Sequence, residues 1–185
     1  HKICMHLKIP FGDLKRLNVD ARHGLDNTLM ATDYGRPCWT PTIELLRQQV
    51  NDLHIDILCL DNIAHTFGAN ENNRHDVTLF VNGIAGLVEG RAFCPILLGH
   101  PSKGVDSQFS GSTAWENAVS MSWFMDDRLP DKKVDESEMP DPDYRVLSKK
   151  KTNYTVKDYV AMRITNGVLE PEQRESGEPG IIQSI

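Results

Sequence analysis

The stretch that decides the fold of this chain is residues 55–62, which read IDILCLDN. Apolar side chains run almost without a break through this stretch, and two polar residues, Asp61 and Asn62, end it. A short, nearly continuous apolar run is typical of a parallel strand that is buried on both faces of its sheet. We therefore expect a buried parallel strand over Ile55–Asp61, with an acid at its carboxyl end.

A helix is predicted directly before this strand. Thr40 is a favoured N-cap residue, and Pro41 then occupies the first helical position, where its missing N–H costs nothing. Apolar residues recur after it at helical spacing and give the helix one apolar face. These residues are Ile43, Leu46, Val50 and Leu53.

A second helix and a second buried strand are predicted after it. The apolar spacing from Val77 to Val88 indicates a helix, and Gly90 is a stop signal for it. Ala92–Leu98 is another apolar run, with Pro95 near its start. Residues 55–98 should therefore form a right-handed βαβ unit whose two strands are adjacent and parallel.

The rest of the chain contains shorter segments. Alternation and turn signals predict strands in several places, and a small-residue turn predicts one more helix. The expected strands are Leu14–Arg22, Asn27–Ala31, Met121–Met125, and an antiparallel pair of Tyr144–Lys151 with Asp158–Thr165; the expected helix is Thr113–Ser120, and residues 170–185 read as a tail or linker.

Charge and cysteine content narrow the class of protein. A net charge of −6 argues against a surface that binds nucleic acid everywhere, so any such contact must be local. No apolar run is long enough to cross a bilayer, so we expect no membrane association. The four cysteines form no C-x-x-C pair, which favours a reducing, cytoplasmic setting.

Polar residues follow both strands of the predicted βαβ unit. Asp61 ends the first strand, and His100 follows the second. Because parallel strands present their carboxyl ends at one sheet edge, the two side chains should emerge together. Asp61 is a candidate ligand for Mg²⁺, and His100 is a candidate partner for a phosphate or for the attacking water. The alternatives are a capping aspartate and a solvated loop without chemistry.

Two further segments carry candidate anion-binding groups. Lys103 lies three residues after His100 and has the charge to neutralise a phosphate. Ser112 and Thr113 lie in a small-hydroxyl turn at a helix start, where exposed N–H groups can bind an anion. An ordinary N-cap is the alternative for this second segment.

Several short sequence segments occur in this chain in the same order as in a known protein family. Across about residues 10–170 the chain resembles the RecA-like P-loop ATPases (AAA family) of phages and plasmids, which are related to the hexameric replicative helicase RepA. The segments that carry the resemblance are LCLDN (58–62), FGANEN (67–72), Arg74, LLGHPSK (97–103), GSTAWENAV (111–119) and KTNY (151–154).

This resemblance implies a fold, a ligand and an assembly. The expected fold is an α/β, three-layer RecA-like core over residues 1–169, with a mostly parallel sheet and a C-terminal antiparallel extension. ATP with Mg²⁺ would bind at subunit boundaries of a homo-oligomeric, hexameric ring that acts on single-stranded DNA. Asp61 matches the Walker B acid and metal ligand, and His100 matches the sensor residue. The nucleotide-contacting positions would be Asn62, Lys103, Ser112, Thr113 and Lys151, the last toward a neighbouring subunit.

The chain also departs from the family's pattern. It contains no G-x-x-x-x-G-K-[ST] loop, and in the family that loop and the water-activating acid would lie upstream of His1. The family usually has arginine after the Gly-Ser-Thr helix, where this chain has Ser120 and Ser122. An arginine there can contribute several powers of ten in rate. We therefore regard the chain as the Walker B part of such an ATPase.

Three functions stay open at this point. The favoured one is an ATP-hydrolysing motor or helicase-type ATPase in the replication or recombination of a mobile element. The serines at 120 and 122 favour a second, a degenerate nucleotide switch or oligomeric scaffold that does not hydrolyse ATP. A DNA-binding module that uses no nucleotide is the third, and the acidic balance disfavours it.

The missing phosphate loop generates a prediction about the 185 residues alone. They should hydrolyse ATP no faster than background and bind it weakly at best, because a triphosphate needs backbone N–H groups and a lysine around it. Nucleotide affinity and phosphate release measure this. Tight ATP binding by these residues would place the phosphate site inside them.

Overall fold

The computed structural model describes residues 2–100, 113–129, 139, 141–153 and 158–172. Helices in these ranges are α1 (Lys2–His6), α2 (Pro41–Asp52), α3 (Ile63–Thr66), α4 (Arg74–Ala85) and α5 (Ala114–Ala118), with a 3₁₀ turn at Phe11–Asp13. Strands are β1 (Met30–Asp33), β2 (Arg36–Trp39), β3 (Ile57–Asp61), β4 (Cys94–Leu98), β5 (Met121–Asp126), β6 (Tyr144–Thr152), β7 (Tyr159–Thr165) and β8 (Val168–Pro171). None of the described helices has the length and apolar character that crossing a membrane requires.

The chain divides into two compact units, each described by itself below. The central unit is Ala21–Val119 and contains β1 to β4 with α2 to α5. The terminal unit combines His1–Asp20 with Ser120–Ile185 and contains α1 and the strands β5 to β8.

Helix α2 begins where the sequence predicts it. The Thr40 side chain accepts a hydrogen bond from the Thr42 N–H (3.3 Å), and Pro41 is in the first turn. The same Thr40 hydroxyl donates to the Thr28 carbonyl oxygen (2.5 Å), so the cap also ties the helix start to the preceding segment. At the other end, the Arg91 guanidinium donates to the Val50 and Ile55 carbonyl oxygens (3.2 and 2.7 Å).

The βαβ unit is confirmed. Strands β3 and β4 pair in parallel, with Ile57 opposite Cys94 and Asp61 opposite Leu98. Helix α4 lies between them in sequence and buries Val77, Phe80, Val81 and Ile84. It begins at an N-cap, because the Asn73 side chain accepts from the His75 N–H (2.9 Å), and it ends at Gly86, four residues before the predicted stop at Gly90.

The prediction that both faces of this parallel pair are buried is wrong for the described residues. One face packs on the core through Leu58, Leu60 and Leu97. The other alternates outward, and its residues Ile57, Ile96 and Leu98 are 63%, 41% and 43% exposed. The described chain covers this small sheet with helices on one side only, so half of each apolar run is left in contact with solvent. A mostly parallel sheet is likewise not seen, because β3 and β4 form a two-stranded sheet.

The core of the central unit is built around four aromatic rings. Phe80 on α4 is fully buried and stacks on Trp39 of β2, with ring centroids 5.9 Å apart. Phe67 and Trp115 meet Phe80 edge to face at 5.2 and 6.0 Å, and each other at 5.1 Å. Gly83 gives Trp39 its space, because a Cβ there would lie 2.6 Å from Trp39 Cη2 and nearer still to Cζ2.

The predicted strands over Leu14–Arg22 and Asn27–Ala31 are replaced by irregular chain and a hairpin. Strands β1 and β2 pair antiparallel around Tyr34 and Gly35, which both have positive φ. Before them, the Asp26 carboxylate accepts from the Thr28 N–H (2.9 Å), and this bond lowers the pKa of Asp26. Such local bonds compete with strand pairing, so the hairpin starts only at Met30.

The terminal unit is a four-stranded antiparallel meander in the order β5-β6-β7-β8. The predicted pairing of β6 with β7 is confirmed, with Val146 opposite Ala161. Strand β8 was not predicted, and it reaches Pro171 inside the segment that reads as a tail. The Arg163 guanidinium donates to the carboxylates of Asp141 and Glu172 (2.8 Å each) and lowers the pKa of Asp141.

The packing of Trp39 on α4 generates the first structural prediction. Gly83→Ala should destabilise the central unit by about 1–3 kcal/mol, because the added methyl group overpacks against the indole ring. The sign of the change in unfolding free energy distinguishes overpacking from helix propensity, since replacing glycine by alanine inside a helix would otherwise stabilise the protein by about 1 kcal/mol. Urea unfolding followed by circular dichroism measures the change.

Gly12→Ala is the matched control, because a Cβ at Gly12 meets no atom within 4 Å. Its free energy of unfolding should stay within about 0.5 kcal/mol of the parent. Equal or greater stability of Gly83→Ala would show that the indole ring does not lie against α4.

Candidate functional site

The predicted acid and the predicted sensor residue lie at one edge of the parallel pair. Asp61 is the last residue of β3, exposed, and opposite Leu98, the last residue of β4. His100 follows Leu98 by two residues and is also exposed. The parallel register therefore brings Asp61 and His100 to the same carboxyl edge, as the sequence predicts. Their roles in chemistry stay predictions.

Asn62 adds a polar group beside the acid. It precedes α3, and its backbone carbonyl oxygen accepts from the His65 N–H (3.1 Å) and the Thr66 hydroxyl (3.5 Å). Its side-chain oxygen is buried and has no hydrogen-bond partner among the described residues. A buried amide oxygen without a partner is costly, so it marks a place where a donor or a cation would be stabilised.

The segment after α3 turns back across the central unit. The Leu29 N–H donates to the Thr66 carbonyl oxygen (2.8 Å), and the Gly68 N–H donates to the Met30 carbonyl oxygen (2.7 Å). Gly68 favours this close approach, because a Cβ there would lie 3.2 Å from the Met30 carbonyl oxygen and the backbone would have to shift slightly. These bonds fix the exit of the chain from the site.

Sequence reasoning missed one carboxylate in the first turn of α4. Asp76 is 5% exposed, and its Oδ2 accepts from the Asn70 N–H at 3.4 Å. Asp76 stands three residues after the N-cap Asn73, a position where an acid reinforces a helix start, and this spacing is the signal that would have found it. It holds the Asn70 turn against α4.

The other predicted nucleotide contacts are distributed over the chain. Thr113 immediately precedes α5 and is exposed, and its side chain makes no capping hydrogen bond. Trp115, two residues later, is buried in the aromatic core, which fixes the start of this helix. Lys103 and Ser112 lie outside the described residues.

Lys151 belongs to the terminal unit. It lies on β6 opposite Ser122 of β5, next to a register shift between Ser122 and Trp123. Ser122 is 9% exposed, and its hydroxyl oxygen has no hydrogen-bond partner in the part of the chain that the structure describes. The structure thus brings Asp61, Asn62 and His100 together at the carboxyl ends of β3 and β4, whereas Lys151 lies on a separate sheet.

Metal binding at the carboxyl edge would depend on a small ligand set. Within the described ranges, no three side chains of His, Cys, Asp or Glu converge in a way that could hold a metal ion. Mg²⁺ does not need such a cage, because it is usually held by one or two carboxylates together with waters and substrate phosphates. An exposed Asp61 beside the unpartnered Asn62 oxygen fits that donor set.

A comparison with known protein families assigns the part of the chain that contains β3 and β4 to one family. A family model described as an AAA domain matches residues 4–106, more than half of the chain. The match includes β3, β4, Asp61, Asn62 and His100. Among curated proteins the chain has no match.

The shared edge of β3 and β4 generates a prediction about proximity. With the native cysteines changed to alanine, the double variant Asp61→Cys with His100→Cys should be joined quickly by a short bis-maleimide. The control pair Ile57→Cys with His100→Cys should react much more slowly, because four residues of strand separate Ile57 from Asp61, roughly 13 Å. Mass spectrometry of the cross-linked peptide measures both. Equal cross-linking of the two pairs would contradict the parallel register.

Proposed function

From the premise that this chain belongs to the AAA domain family, we propose that it supplies the acid and sensor side of an ATP–Mg²⁺ site in an ATP-hydrolysing motor. The observation that carries the proposal is the parallel register of β3 and β4, which brings Asp61 and His100 to one edge. Ligands of open α/β sheets bind at this edge. The 185 residues contain no Gly-rich phosphate loop, so other residues of the assembled protein would cradle the triphosphate.

Each residue at the edge has a distinct task in this proposal. The Asp61 carboxylate would hold Mg²⁺, and the Asn62 amide oxygen would accept a hydrogen bond beside it. The metal would supply positive charge that neutralises the charge developing on the phosphate oxygens. His100 donates a hydrogen bond to the γ-phosphate or orients the attacking water, and so reports the state of the nucleotide to the chain that follows it.

The proposal extends to residues and partners beyond this edge. Lys103, Ser112 and Thr113 would contact phosphate, and Lys151 would reach the nucleotide of a neighbouring subunit. The assembly would be a RepA-like homo-oligomeric, hexameric ring in the cytoplasm that acts on single-stranded DNA during replication or recombination of a mobile element. The half-exposed face of β3 and β4 supports a three-layer RecA-like core with more parallel strands, since such sheets are covered on both faces.

A second function is favoured by one observation. Family relatives usually have arginine where this chain has Ser120 and Ser122, and Ser122 is buried opposite Lys151. A buried serine has no charge to offer a transition state in a neighbouring subunit, so the chain would bind nucleotide as a switch or scaffold without hydrolysing it. Phosphate release separates this function from the motor.

The assignment of Asp61 is tested in the longest natural polypeptide that contains these residues. Asp61→Asn should lower ATP turnover by about 100-fold or more while changing stability little, because the residue is exposed and its loss removes a metal ligand rather than packing. Phosphate release at saturating Mg²⁺ and thermal unfolding measure the two effects.

Asp33→Asn is the matched control, because Asp33 is also an exposed acid at the end of a strand in the central unit. Its turnover should equal that of the parent. Unchanged turnover in Asp61→Asn would show that Asp61 is structural. ATP binding without turnover in the parent protein would instead favour the switch.

A further inference from the structure

One apolar side chain links the two halves of the carboxyl edge. Ile63 is the first residue of α3 and follows Asp61 and Asn62 directly in the chain. Its side chain is half-buried and packs against the core of the central unit. A Cβ at Gly99 would lie 3.5 Å from the Ile63 Cδ1, which is ordinary van der Waals contact, so the Gly99 backbone runs beside this side chain. Ile63 therefore reaches from the chain that leaves β3 to the chain that leaves β4.

The strand pairing ends before His100. The last pair in the register of β3 and β4 is Asp61 with Leu98. Gly99 and His100 follow this pair, so they lie beyond the ladder that fixes the two strands. Glycine also gives the backbone more freedom at the first of these two positions. The location of His100 relative to Asp61 therefore depends on what packs against residue 99.

Helix α3 is held firmly enough to serve as a fixed support for this contact. The Ile63 backbone carbonyl oxygen accepts from the Phe67 N–H (2.9 Å) and from the Thr66 hydroxyl (3.2 Å). Thr66 and Phe67 are each 8% exposed, and the Phe67 ring packs edge to face on Phe80. The backbone of Ile63 is thus tied to the aromatic core, while its Cδ1 meets the segment that carries His100.

We propose that Ile63 is a positioning residue that holds Gly99, and through it His100, at the edge beside Asp61. This role rests on the proposed function, which gives His100 its task at the γ-phosphate or the attacking water. A misplacement of about 1 Å in such a group can lower a rate by about 100-fold. Because the ladder stops at Leu98, the Ile63 side chain limits how far His100 can move from that position.

The test variant is Ile63→Val, because it deletes Cδ1 and keeps the rest of the side chain. In the longest natural polypeptide that contains these residues, it should lower kcat for ATP hydrolysis about tenfold and change KM for ATP by less than about twofold. The split is expected because His100 is assigned to the transition state, so its displacement affects turnover more than nucleotide binding. Ile63→Leu keeps a δ carbon and should retain most of the turnover. Phosphate release at varied ATP concentration measures both constants.

Ile43→Val is the matched control, because it deletes the same methyl group from α2 of the same unit. Ile43 is 3% exposed and belongs to the core, so this variant should lower the melting temperature at least as much as Ile63→Val. Its kcat should nevertheless equal that of the parent. An equal fall of kcat in the two variants would show that Ile63 is only a core residue. Unchanged kcat in Ile63→Val would also overturn the proposal.

The mobility of a spin label tests the position of His100 without hydrolysis. With the native cysteines changed to alanine, a nitroxide on His100→Cys reports the nanosecond motion of this segment in the full chain. The motion should be faster when Ile63→Val is added and unchanged when Ile43→Val is added. Equal mobility with and without Ile63→Val would overturn the proposal. This measurement needs no ATP, whereas Asp61→Asn is read by phosphate release, so failure of the nucleotide assignment and failure of the Ile63 contact are distinguishable.

Discussion

The packing of Phe80 holds the central unit together. Its ring touches Trp39 of the β1–β2 hairpin, Phe67 after α3 and Trp115 of α5, so elements from four parts of the sequence meet at one side chain. Aromatic contacts of this geometry contribute about 0.5–1.5 kcal/mol each beyond the burial of area. Gly83, one helical turn after Phe80, is then constrained to lack a side chain. The identity of one residue in α4 thus sets the position of the hairpin.

This core also explains why the carboxyl edge is available for chemistry. Leu58, Leu60 and Leu97 anchor one face of β3 and β4 to the aromatic cluster, which fixes the register of the pair. A register fixed by burial places the carboxyl ends of both strands beyond the core, where Asp61 and, two residues after β4, His100 are exposed. The polar groups of the site therefore depend on apolar packing some residues earlier in each strand.

Features of the central unit that depend on neighbouring residues in the sequence could be predicted, whereas features that depend on distant parts of the chain could not. Helix α2 follows from Thr40 and Pro41, which act on their own turn, and the βαβ unit follows from apolar periodicity. Asp61 and His100 could be placed at one edge because parallel strands permit no other arrangement. The burial of the two faces of β3 and β4 could not be predicted, because an apolar run does not reveal whether helices cover one face of the sheet or both. Ile57 and Leu58 are both apolar, yet one is exposed and the other packs on the core.

The meander shows the same limit for charge. Lys149, Lys150 and Lys151 are consecutive, so in the sequence they read as one basic cluster. The register shift beside Ser122 divides them: Lys149 lies over Trp123, whereas the Lys150 ammonium lies over Phe124, on the other side of β5. Lys149 is 5% exposed, so burial separates it from its neighbours in the run as well. The cross-strand register, and not the order of residues in the sequence, therefore decides which aromatic ring each ammonium group meets.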